Sequence, residues 1–462
     1  MTHRFDPTLL RDYDLRGRVG DTLHEADAWA LGRSFGTVIA RSGGRRIAVG
    51  YDGRLSSPML ESALVDGLTQ TGIDVLRIGL GPTPMLYHAE ATNDVDGGIQ
   101  ITGSHNPGDQ NGFKLVKGHA PFFGADIQIL GVMAAAGDWD SVVDGGTGRV
   151  ESIDIMDAYV ARLMQGFDGP ACRIGWDAGN GAAGPVVEKL SQLLPGEHHL
   201  LFTDIDGHFP HHHPDPSQDH NLADLRALVL DRQLDFGVAF DGDGDRIGVI
   251  DGLGRALAGD QLLGLFAQTV LKNRSGAPIV ADVKTSQTVF DRIAALGGVP
   301  DMWKTGHSHI KSRMKQTGSP LGGETTGHLF FADDYPGYDD GLYAAIRLIR
   351  AVGSLGRSVT ALHDAMPTGF ITPEWRFPVP ESRKFEVMDE ILDRLQSQGA
   401  DLCTIDGVRV RTVDGWWLLR ASHTEAALVA RAESSDQAGL DRLVACIDAQ
   451  LADSDVARLK ST

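Results

Sequence analysis

Short apolar runs alternate with longer amphipathic segments along most of the chain, which predicts strands separated by helices. Arg46 to Tyr51 is an apolar run, and the helix after it is predicted to have Ser57 as its N-cap, Pro58 at its first position and Gly72 as its stop. The same rhythm continues through strands at Asp74 to Gly79, Arg173 to Trp176, His199 to Thr203 and Asp235 to Phe240, and through helices at Gly184 to Leu194 and Leu222 to Arg232. It recurs from Pro278 onward. This alternation favours α/β layers, with helices on both faces of a mainly parallel sheet.

The C-terminal part of the chain has a different order of elements. Its predicted elements are a helix at Phe385 to Gln398, strands at Val408 to Thr412 and Trp416 to Ala421 with a hairpin turn between them, and a helix near Asp436 to Ala452. This order indicates an α+β domain. A chain of 462 residues is long for one core, so several domains are expected. We predict three α/β domains over residues 1–150, 151–253 and 254–367, and a C-terminal α+β domain over residues 368–462.

Composition and charge exclude several classes of protein. Hydrophobic residues make up 42% of the chain and charged residues 23%, as in globular proteins. No apolar run approaches the roughly 20 residues that span a bilayer, and the N-terminus lacks the apolar stretch of a signal peptide, so we predict a cytoplasmic protein with no membrane partner. The formal net charge of −20 argues against nucleic-acid binding. The three cysteines are far apart, which indicates neither disulfides nor a zinc site.

One polar segment places a serine at a strand exit. Thr102-Gly103-Ser104-His105-Asn106-Pro107 follows an apolar run, so the Ser104 hydroxyl is a candidate nucleophile or phosphoryl carrier. Taken alone, the segment is more typical of an ordinary turn before a proline. Lys114 lies just downstream in Asn111-Gly112-Phe113-Lys114, and an amine there can contact phosphoryl oxygens or assist proton transfer. The pair therefore favours phosphoryl chemistry.

A second segment, Asp241-Gly242-Asp243-Gly244-Asp245-Arg246, lies between two apolar strands. Its three carboxylates at alternate positions supply hard oxygen ligands for a divalent cation, and Mg²⁺ is favoured if a phosphate completes the coordination. Arg246 would add a fixed cationic fork. A solvated acidic turn is the simpler alternative. An aspartyl phosphatase with Asp241 as its nucleophile is another.

Three further segments are candidates for binding a sugar phosphate. In Gly322-Gly323-Glu324-Thr325-Thr326-Gly327-His328, the glutamate and threonine can bind sugar hydroxyls, and the histidine can orient them. Lys304-Thr305-Gly306-His307 precedes a helix predicted to begin near Ser308, and a helix start is a natural anion site. In Arg420-Ala421-Ser422-His423-Thr424-Glu425, alternate side chains at a strand end can project together towards a phosphate. The first and third segments are also compatible with an ordinary polar turn and an exposed strand.

A glycine-rich segment favours a different class of enzyme. Asp177-Ala178-Gly179-Asn180-Gly181-Ala182-Ala183-Gly184 follows a strand and opens a helix, and Asp204 lies 20 residues beyond Gly184, as in dinucleotide-binding folds. A nicotinamide- or flavin-dependent oxidoreductase is therefore an alternative. We prefer a turn whose glycines let the helix pack closely on its sheet, because an oxidoreductase leaves the serine, acidic and arginine segments unexplained.

Taken together, TGSHNP with NGFK, DGDGDR, GGETTGH and RASHTE resemble the α-D-phosphohexomutase superfamily, in this order and over essentially the full length. Tyr13-Asp14-Leu15-Arg16-Gly17, Gly81-Pro82-Thr83-Pro84, Lys284 and Trp303-Lys304-Thr305-Gly306-His307 are similar to its phosphomannomutase/phosphoglucomutase branch. The resemblance implies three α/β domains with mixed sheets and a C-terminal α+β domain, all around one central active-site cleft.

The resemblance also implies a role for each motif. Ser104 would carry the phosphoryl group and, with Asp241, Asp243 and Asp245, would hold Mg²⁺. The other implied catalytic residues are Arg16, Lys114, Arg246 and His307. The implied substrate-binding residues are Tyr13, Arg16, His105, Lys284, His307, Glu324, Thr326, His328, Arg420, Ser422 and Thr424.

The implied reaction is the reversible conversion of hexose 1-phosphate to hexose 6-phosphate through a hexose 1,6-bisphosphate. Glucose and mannose phosphates are the expected substrates, with glucose 1,6-bisphosphate as activator. Thr325-Thr326 stands where the branch usually has Met-Ser, and His423 stands where it usually has Asn, so sugar preference stays open. The alternatives are a phosphoglucosamine mutase, an oxidoreductase, an aspartyl phosphatase and a non-catalytic sugar-phosphate-binding protein. The sequence does not indicate an oligomeric state.

Overall fold

The first domain is built on a mixed sheet. The computed structural model describes residues 1–141, 147–367, 369–422 and 425–457. The elements up to Ser152 are β1 (Leu15–Arg18), α1 (Glu25–Arg41), β2 (Arg46–Tyr51), α2 (Ser57–Thr69), β3 (Asp74–Leu80), α3 (Thr83–Thr92), β4 (Gly97–Ile101), β5 (Gln110–Lys117), β6 (Ala120–Pro121), α4 (Ala125–Ala136) and β7 (Val150–Ser152). In this described part of the chain the strand order is β1-β5-β4-β2-β3-β7, and β6 pairs with β5. β2 is parallel to β3 and β4, whereas β5 is antiparallel to β4.

The two faces of this sheet bury different side chains, because alternate residues of a strand point to opposite sides. Ile47 and Val49 of β2 belong to a core that includes residues of α1, α2 and α4. Ala48, between them, belongs to a larger core that includes α3 and continues into the second and third domains. The first domain is therefore packed on its neighbours through its α3 face.

The second domain has a smaller mixed sheet. Its elements are α5 (Met156–Leu163), β8 (Cys172–Asp177), α6 (Gly184–Leu193), β9 (Gly196–Leu201), α7 (Ala223–Arg232), β10 (Phe236–Phe240), β11 (Ile247–Asp251) and β12 (Ala256–Leu257). The strand order is β12-β11-β10-β8-β9. β10 and β11 are antiparallel partners, and Phe240 pairs with Ile247. The segment between them, which holds the three aspartates, is therefore the tip of a hairpin.

The third domain has its polar loop at a second hairpin. Its elements are α8 (Gly259–Leu271), β13 (Pro278–Asp282), α9 (Gln287–Ala295), β14 (Val299–Trp303), α10 (His307–Thr317), β15 (Leu321–Gly323), β16 (Leu329–Phe331), α11 (Gly341–Leu355) and α12 (Val359–Asp364). The strand order is β14-β13-β15-β16. β15 and β16 are antiparallel, so residues 324–328 form the turn that joins them.

The fourth domain is an antiparallel sheet with its own core. Its elements are β17 (Phe370–Ile371), β18 (Trp375–Pro378), α13 (Lys384–Ser397), β19 (Asp401–Cys403), β20 (Val408–Thr412), β21 (Gly415–Ala421), β22 (Ala427–Ser434) and α14 (Gln437–Ala452). Trp417 and Leu419 of β21 pack in a core with residues of α13 and α14. Trp416 and Leu418, which alternate with them, pack against Val283 of the third domain. One face of the sheet thus bears the helices, and the other faces the third domain.

The predicted fold class is confirmed, and most predicted elements lie within one or two residues of their observed bounds. Two details differ. Ser57 is the first residue of α2 rather than its N-cap, and its Oγ donates to Oδ1 of Asp52 at 2.7 Å. Strand β9 covers Gly196–Leu201 and so begins three residues earlier than predicted. Within the described ranges, no helix is long and apolar enough to cross a membrane.

Candidate active site

The loop after β4 directs Ser104 towards the second domain. Ser104 has a φ of 49°, in the left-handed region that few residues other than glycine adopt. Its backbone N–H donates to Oγ1 of Thr102 at 2.7 Å. Its side chain is buried, and its Oγ donates a hydrogen bond to Oδ2 of Asp241 at 2.8 Å. The candidate nucleophile therefore lies against the acidic hairpin.

A buried arginine that the sequence reasoning missed holds this loop in place. The guanidinium of Arg54 donates to four backbone carbonyl oxygens of the loop, those of Ser104 (2.7 Å), Asn106 (2.6 Å), Pro107 (2.5 Å) and Gln110 (2.8 Å). Its Nε donates to Oδ2 of Asp52 at 3.2 Å. Burial lowers the pKa of Arg54, and the carboxylate of Asp52 opposes that effect. One guanidinium thus holds the backbone of Ser104 and of the residues that follow it.

Three buried carboxylates meet at the tip of the β10–β11 hairpin. Oxygen atoms of Asp241, Asp243 and Asp245 lie within 4.8 Å of one another. Nζ of Lys114 donates to Oδ2 of Asp243 at 2.7 Å and also to Oδ2 of Asp245. Oδ1 of Asp243 has no hydrogen-bond partner among the described residues, although it is buried. Three carboxylates with an unsatisfied oxygen fit a divalent cation such as Mg²⁺.

The pKa values of the groups in this cluster are shifted in different directions. Burial and the neighbouring carboxylates of Asp243 and Asp245 raise the pKa of Asp241 well above its usual range. Burial acts against the charge of Lys114, but the same two carboxylates outweigh it and raise the pKa of the amine. Burial also favours protonation of Asp245, yet Lys114 and His328 hold its pKa well below the usual range. Arg246 and Lys114 act against the repulsion on Asp241 without outweighing it, so a bound cation would relieve this repulsion.

Arg246 and His328 connect the acidic hairpin to the third domain. Nε of Arg246 lies 3.2 Å from Nε2 of His328, and Nδ1 of His328 lies 2.9 Å from Oε2 of Glu324. In its neutral form, with the proton on Nδ1, His328 donates to Glu324 and accepts from Arg246. Nε2 is also 3.3 Å from Oδ1 of Asp245, to which a second proton would be donated. Burial and Arg246 lower the pKa of His328, but Asp245 and Glu324 outweigh them and raise it to about 9.

His307 is the first residue of α10, one position before the predicted helix start. Its ring centroid lies 5.6 Å from that of His328, and its Nδ1 is 3.5 Å from Oδ2 of Asp339. Neither ring nitrogen makes a hydrogen bond within the described part of the chain. Burial, with Lys311 as the next cause, lowers the pKa of His307 well below its usual range. His307 is therefore a neutral imidazole with free nitrogen atoms.

Two predicted site residues lie beside the serine loop. Arg16 donates from Nε to Oδ2 of Asp14 at 2.8 Å and from Nη1 to Oδ1 of Asn106 at 2.9 Å. His105 lies with its Nδ1 3.5 Å from Oδ2 of Asp215 of the second domain. Burial, followed by the charge of Arg246, lowers the pKa of His105. Both residues therefore lie beside the Ser104 loop and contact its neighbours.

A second group of cations lies between the third and fourth domains. Nζ of Lys284 donates to Oε2 of Glu374 at 2.9 Å. Nε of Arg420 donates to Oδ2 of Asp406 at 2.9 Å, while its buried Nη2 has no hydrogen-bond partner among the described residues. Ser422 is buried at the end of the same strand. Thr424, also predicted for this group, lies outside the described residues.

The segment Lys304-Thr305-Gly306-His307 joins the two groups. The Gly306 N–H donates to Oε1 of Glu324 at 2.6 Å, and the Thr305 N–H donates to Oδ2 of Asp406 at 3.0 Å. The hydroxyl of Tyr13 donates to the carbonyl oxygen of Thr305 at 2.7 Å. Gly306 has a φ of 123°, and a Cβ there would lie 2.5 Å from the Tyr13 ring, so glycine is required. All four domains thus contribute to one continuous polar network.

Comparison with known proteins assigns the chain to a family. It matches four domain families in order, each described as phosphoglucomutase/phosphomannomutase: alpha/beta/alpha domain I over residues 7–130, domain II over 157–254, domain III over 258–370 and the C-terminal domain over 374–450. The chain belongs to the phosphoglucomutase/phosphomannomutase family. The predicted superfamily and branch are therefore confirmed.

Relatives in this family match the chain over nearly its whole length. A phosphomannomutase/phosphoglucomutase from Pseudomonas putida is 42% identical over 437 residues, which cover 94% of each chain. A phosphoglucomutase from Neisseria gonorrhoeae is 42% identical over 440 residues, which cover 94% of this chain and 95% of the relative. A crystal structure of a phosphoglucomutase/phosphomannomutase family protein from Burkholderia thailandensis is 38% identical, covers 98% of each chain and has a TM-score of 0.91.

The glycine-rich turn of this phosphoglucomutase/phosphomannomutase family member has a packing role. A Cβ on Gly184 would lie 1.9 Å from the carbonyl oxygen of Thr203, and a Cβ on Gly181 would lie 2.8 Å from that of Gly242. The Ala182 N–H donates to the same Gly242 oxygen at 2.9 Å. The glycines let α6 approach its sheet and the acidic hairpin. Close packing therefore accounts for the pattern that suggested an oxidoreductase.

Two further contacts of the site have no counterpart in the sequence reasoning. Thr83 donates from its N–H to the Asp243 carbonyl oxygen at 2.8 Å and from its hydroxyl to the Asp243 carboxylate. The family-like segment Gly81-Pro82-Thr83-Pro84 pointed to Thr83 but gave it no role. Asp339 is fully buried and accepts a hydrogen bond from Nζ of Lys311 at 2.7 Å, beside His307. An Asp-Asp-Gly sequence before a helix gave no indication of that contact.

Proposed function

We propose that this enzyme is an isomerase that interconverts hexose 1-phosphate and hexose 6-phosphate, with Ser104 as the carrier of the transferred phosphoryl group. The observation that carries the proposal is the position of the Ser104 hydroxyl, which is hydrogen-bonded to Asp241 within a cluster of three buried carboxylates. The relatives' names support glucose and mannose phosphates as substrates. The names of these relatives do not include a phosphoglucosamine mutase, which is therefore the less supported alternative.

We propose Mg²⁺ as the cofactor, held by Asp241, Asp243 and Asp245 with an oxygen on Ser104. When bound, such an ion neutralises the charge of phosphoryl oxygens during transfer. Two observations support a cation at this position: Oδ1 of Asp243 makes no hydrogen bond among the described residues, and the neighbouring carboxylates raise the pKa of Asp241 despite Arg246 and Lys114. Glucose 1,6-bisphosphate is the proposed activator, because it can supply the phosphoryl group that Ser104 needs before the first turnover.

Other residues of the site would align the reacting groups, neutralise the charge of the phosphoryl group and accept a proton. In the proposed transfer, the bond between phosphorus and the Ser104 oxygen breaks as a bond forms between phosphorus and a sugar hydroxyl oxygen. Lys114 and Arg246 are cations next to the reacting group, and phosphoryl transfer depends mainly on such alignment and neutralisation. His307 is neutral and has free ring nitrogens, so it is the proposed acceptor of the hydroxyl proton.

The second group of residues would hold the phosphate that does not react. Lys284, Arg420, Ser422 and Thr424 are the proposed grip, and Arg420 has a buried Nη2 available for an oxygen. The predicted sugar-binding residues Glu324 and Thr326 lie at the turn between β15 and β16. After the first transfer, the bisphosphate would turn around so that its other phosphate reaches Ser104. The grip must therefore accept a phosphate from either end of the sugar.

Phosphorus NMR tests this function. Glucose 1-phosphate, Mg²⁺ and a trace of glucose 1,6-bisphosphate are mixed with the protein and followed over time. We expect glucose 6-phosphate to appear without inorganic phosphate, and the Ser104→Ala variant to be inactive. Inorganic phosphate released by both proteins would indicate an aspartyl phosphatase that uses Asp241. A cytoplasmic location remains a prediction from the sequence.

A further inference from the structure

We propose that Glu374 is an internal competitor for the phosphate grip: its carboxylate occupies Lys284 in the free enzyme and must leave when a substrate phosphate binds. This inference rests on the proposed role of Lys284 as a phosphate-binding residue. It assigns Glu374 the function of setting the affinity for phosphate groups. The sequence reasoning gave no role to this residue.

The geometry places Glu374 between two cations. It lies in the connection between β17 and β18 of the fourth domain. Its Oε2 accepts from Nζ of Lys284 at 2.9 Å, and its Oε1 lies 2.9 Å from Nη2 of Arg376. The Lys284 side chain is only 4% exposed, whereas Glu374 is 24% exposed and Arg376 is 45% exposed. One oxygen therefore faces the interior and the other faces the surface.

Glu374 is the principal counter-charge of Lys284. Among the described residues, Asp282 has a carboxylate oxygen 3.8 Å from the amine, and the charge of Lys284 also acts on the carboxylate of Glu324. Burial raises the pKa of Asp282 to about 6, so this carboxyl group is ionised at neutral pH but lies farther from the amine than Glu374 does. Burial also acts to raise the pKa of Glu374, but Lys284 and Arg376 outweigh it and lower the pKa to about 2. Glu374 is thus an anion at neutral pH.

A phosphate that approaches Lys284 meets this anion. Two like charges that share one amine repel each other, so the carboxylate has to move as the phosphate binds. Glu374 can do so without losing all its partners, because Arg376 already contacts its second oxygen and is open to solvent. A fully buried carboxylate without a second partner could not move away in this manner. The ion pair between Glu374 and Lys284 can therefore be replaced by one between Lys284 and a phosphate.

The Glu374→Gln variant separates competition from a structural role. The amide oxygen of glutamine can still accept a hydrogen bond from Lys284, but the competing negative charge is gone. Partly exposed ion pairs contribute up to about 1 kcal/mol, which corresponds to a change of about fivefold in a binding constant. We therefore expect the variant to bind inorganic phosphate about threefold to fivefold more tightly. A purely structural ion pair would give unchanged or weaker binding.

Calorimetric titration with inorganic phosphate is the test, because it needs no turnover. Glu390→Gln is the matched control, since Glu390 is also in the fourth domain. Its Oε1 forms an ion pair with Nη1 of Arg383 at 2.6 Å, and this pair does not involve Lys284. Tighter phosphate binding by Glu374→Gln, with Glu390→Gln like the wild type, supports the inference. Unchanged or weaker binding by Glu374→Gln overturns it.

Turnover and a second variant distinguish this inference from the proposed function. If the wild type does not isomerise glucose 1-phosphate, the proposed function fails, whereas tighter phosphate binding by Glu374→Gln would still identify the competitor. If Lys284→Met binds inorganic phosphate as tightly as the wild type, Lys284 does not hold phosphate and the inference fails. In an active enzyme, Glu374→Gln should lower the KM for glucose 1-phosphate by a similar factor.

Discussion

Replacement of Arg54 by lysine tests how the serine loop is held. Lysine keeps the positive charge next to Asp52 but replaces a planar fork with a single ammonium group. In the wild type, four carbonyl oxygens of the loop accept hydrogen bonds from the Arg54 guanidinium. A single ammonium group on a shorter side chain cannot donate hydrogen bonds to all four carbonyl oxygens. The variant therefore isolates the geometry of the clamp from its charge.

The expected magnitude follows from the number of carbonyls that lose a donor. Each buried group left unsatisfied costs about 1–3 kcal/mol, and we expect at least two such groups in Arg54→Lys. The free energy of unfolding should therefore fall by about 2–6 kcal/mol. A serine that is no longer aimed at Asp241 should also lower kcat by about 10-fold to 100-fold, since about 1.4 kcal/mol of barrier corresponds to a factor of ten.

Three measurements on Arg54→Lys separate these effects. Urea unfolding gives the stability, a coupled assay gives kcat and KM, and intact-mass analysis after treatment with glucose 1,6-bisphosphate gives the fraction phosphorylated. Because the phosphate grip lies on other domains, KM should change little while kcat falls. Arg33→Lys is the matched control, since Arg33 is a partly buried arginine of the same domain that bonds to Gln70 at 3.0 Å.

Two outcomes would contradict the proposed role of Arg54 in aligning Ser104. If folded Arg54→Lys keeps wild-type kcat and is phosphorylated as readily as the wild type, the loop does not depend on the guanidinium. A loss of activity that only follows the loss of folded protein would likewise give Arg54 a role in stability alone.

Three further predictions address the metal, the glycine turn and the Glu374 ion pair. Removal of Mg²⁺ with EDTA should lower the melting temperature and abolish turnover. In Asp243→Asn, EDTA should no longer change the melting temperature; if it still does, the ion is bound elsewhere. Gly184→Ala should lower the free energy of unfolding by about 2–4 kcal/mol, because the added Cβ would clash with the Thr203 carbonyl oxygen. Gly264→Ala is the control: its Cβ would have ordinary contacts of 3.6 Å, so urea unfolding should show unchanged or higher stability. The lowered pKa of Glu374 means that its ion pair stabilises the fold above the usual glutamate pKa of 4.5 and that this contribution is lost as the pH falls towards 2. The stability difference between wild type and Glu374→Gln should accordingly shrink between pH 4.5 and 2, and a difference independent of pH would contradict this.

The sequence was most informative where chemistry is concentrated in a short segment. Ser104 and the three aspartates stand in compact motifs next to apolar strands, so their type and spacing indicated phosphoryl and metal chemistry. The alternation of strands and helices likewise indicated the α/β domains. Ser57 shows the limit of local reasoning: it was predicted to cap α2, but it is the first residue of that helix and its hydroxyl donates to Asp52.

Contacts between distant segments could not be predicted in this way. Arg54 is 50 residues from Ser104, and Glu374 is 90 residues from Lys284. An arginine after a strand and a glutamate in a linker are common on protein surfaces, and only tertiary packing gives them partners. The glycine turn was ambiguous for a related reason, because close approach to a peptide and close approach to a dinucleotide both require glycine.

The central claim is that Ser104 carries the phosphoryl group, and mass spectrometry tests it most directly. The protein is incubated with glucose 1,6-bisphosphate and Mg²⁺, digested, and sequenced by tandem mass spectrometry. We expect a single phosphate on Ser104, which disappears when excess glucose 1-phosphate or glucose 6-phosphate removes it as the bisphosphate. A phosphate on Asp241, or an enzyme that turns over with Ser104 replaced by alanine, would contradict it.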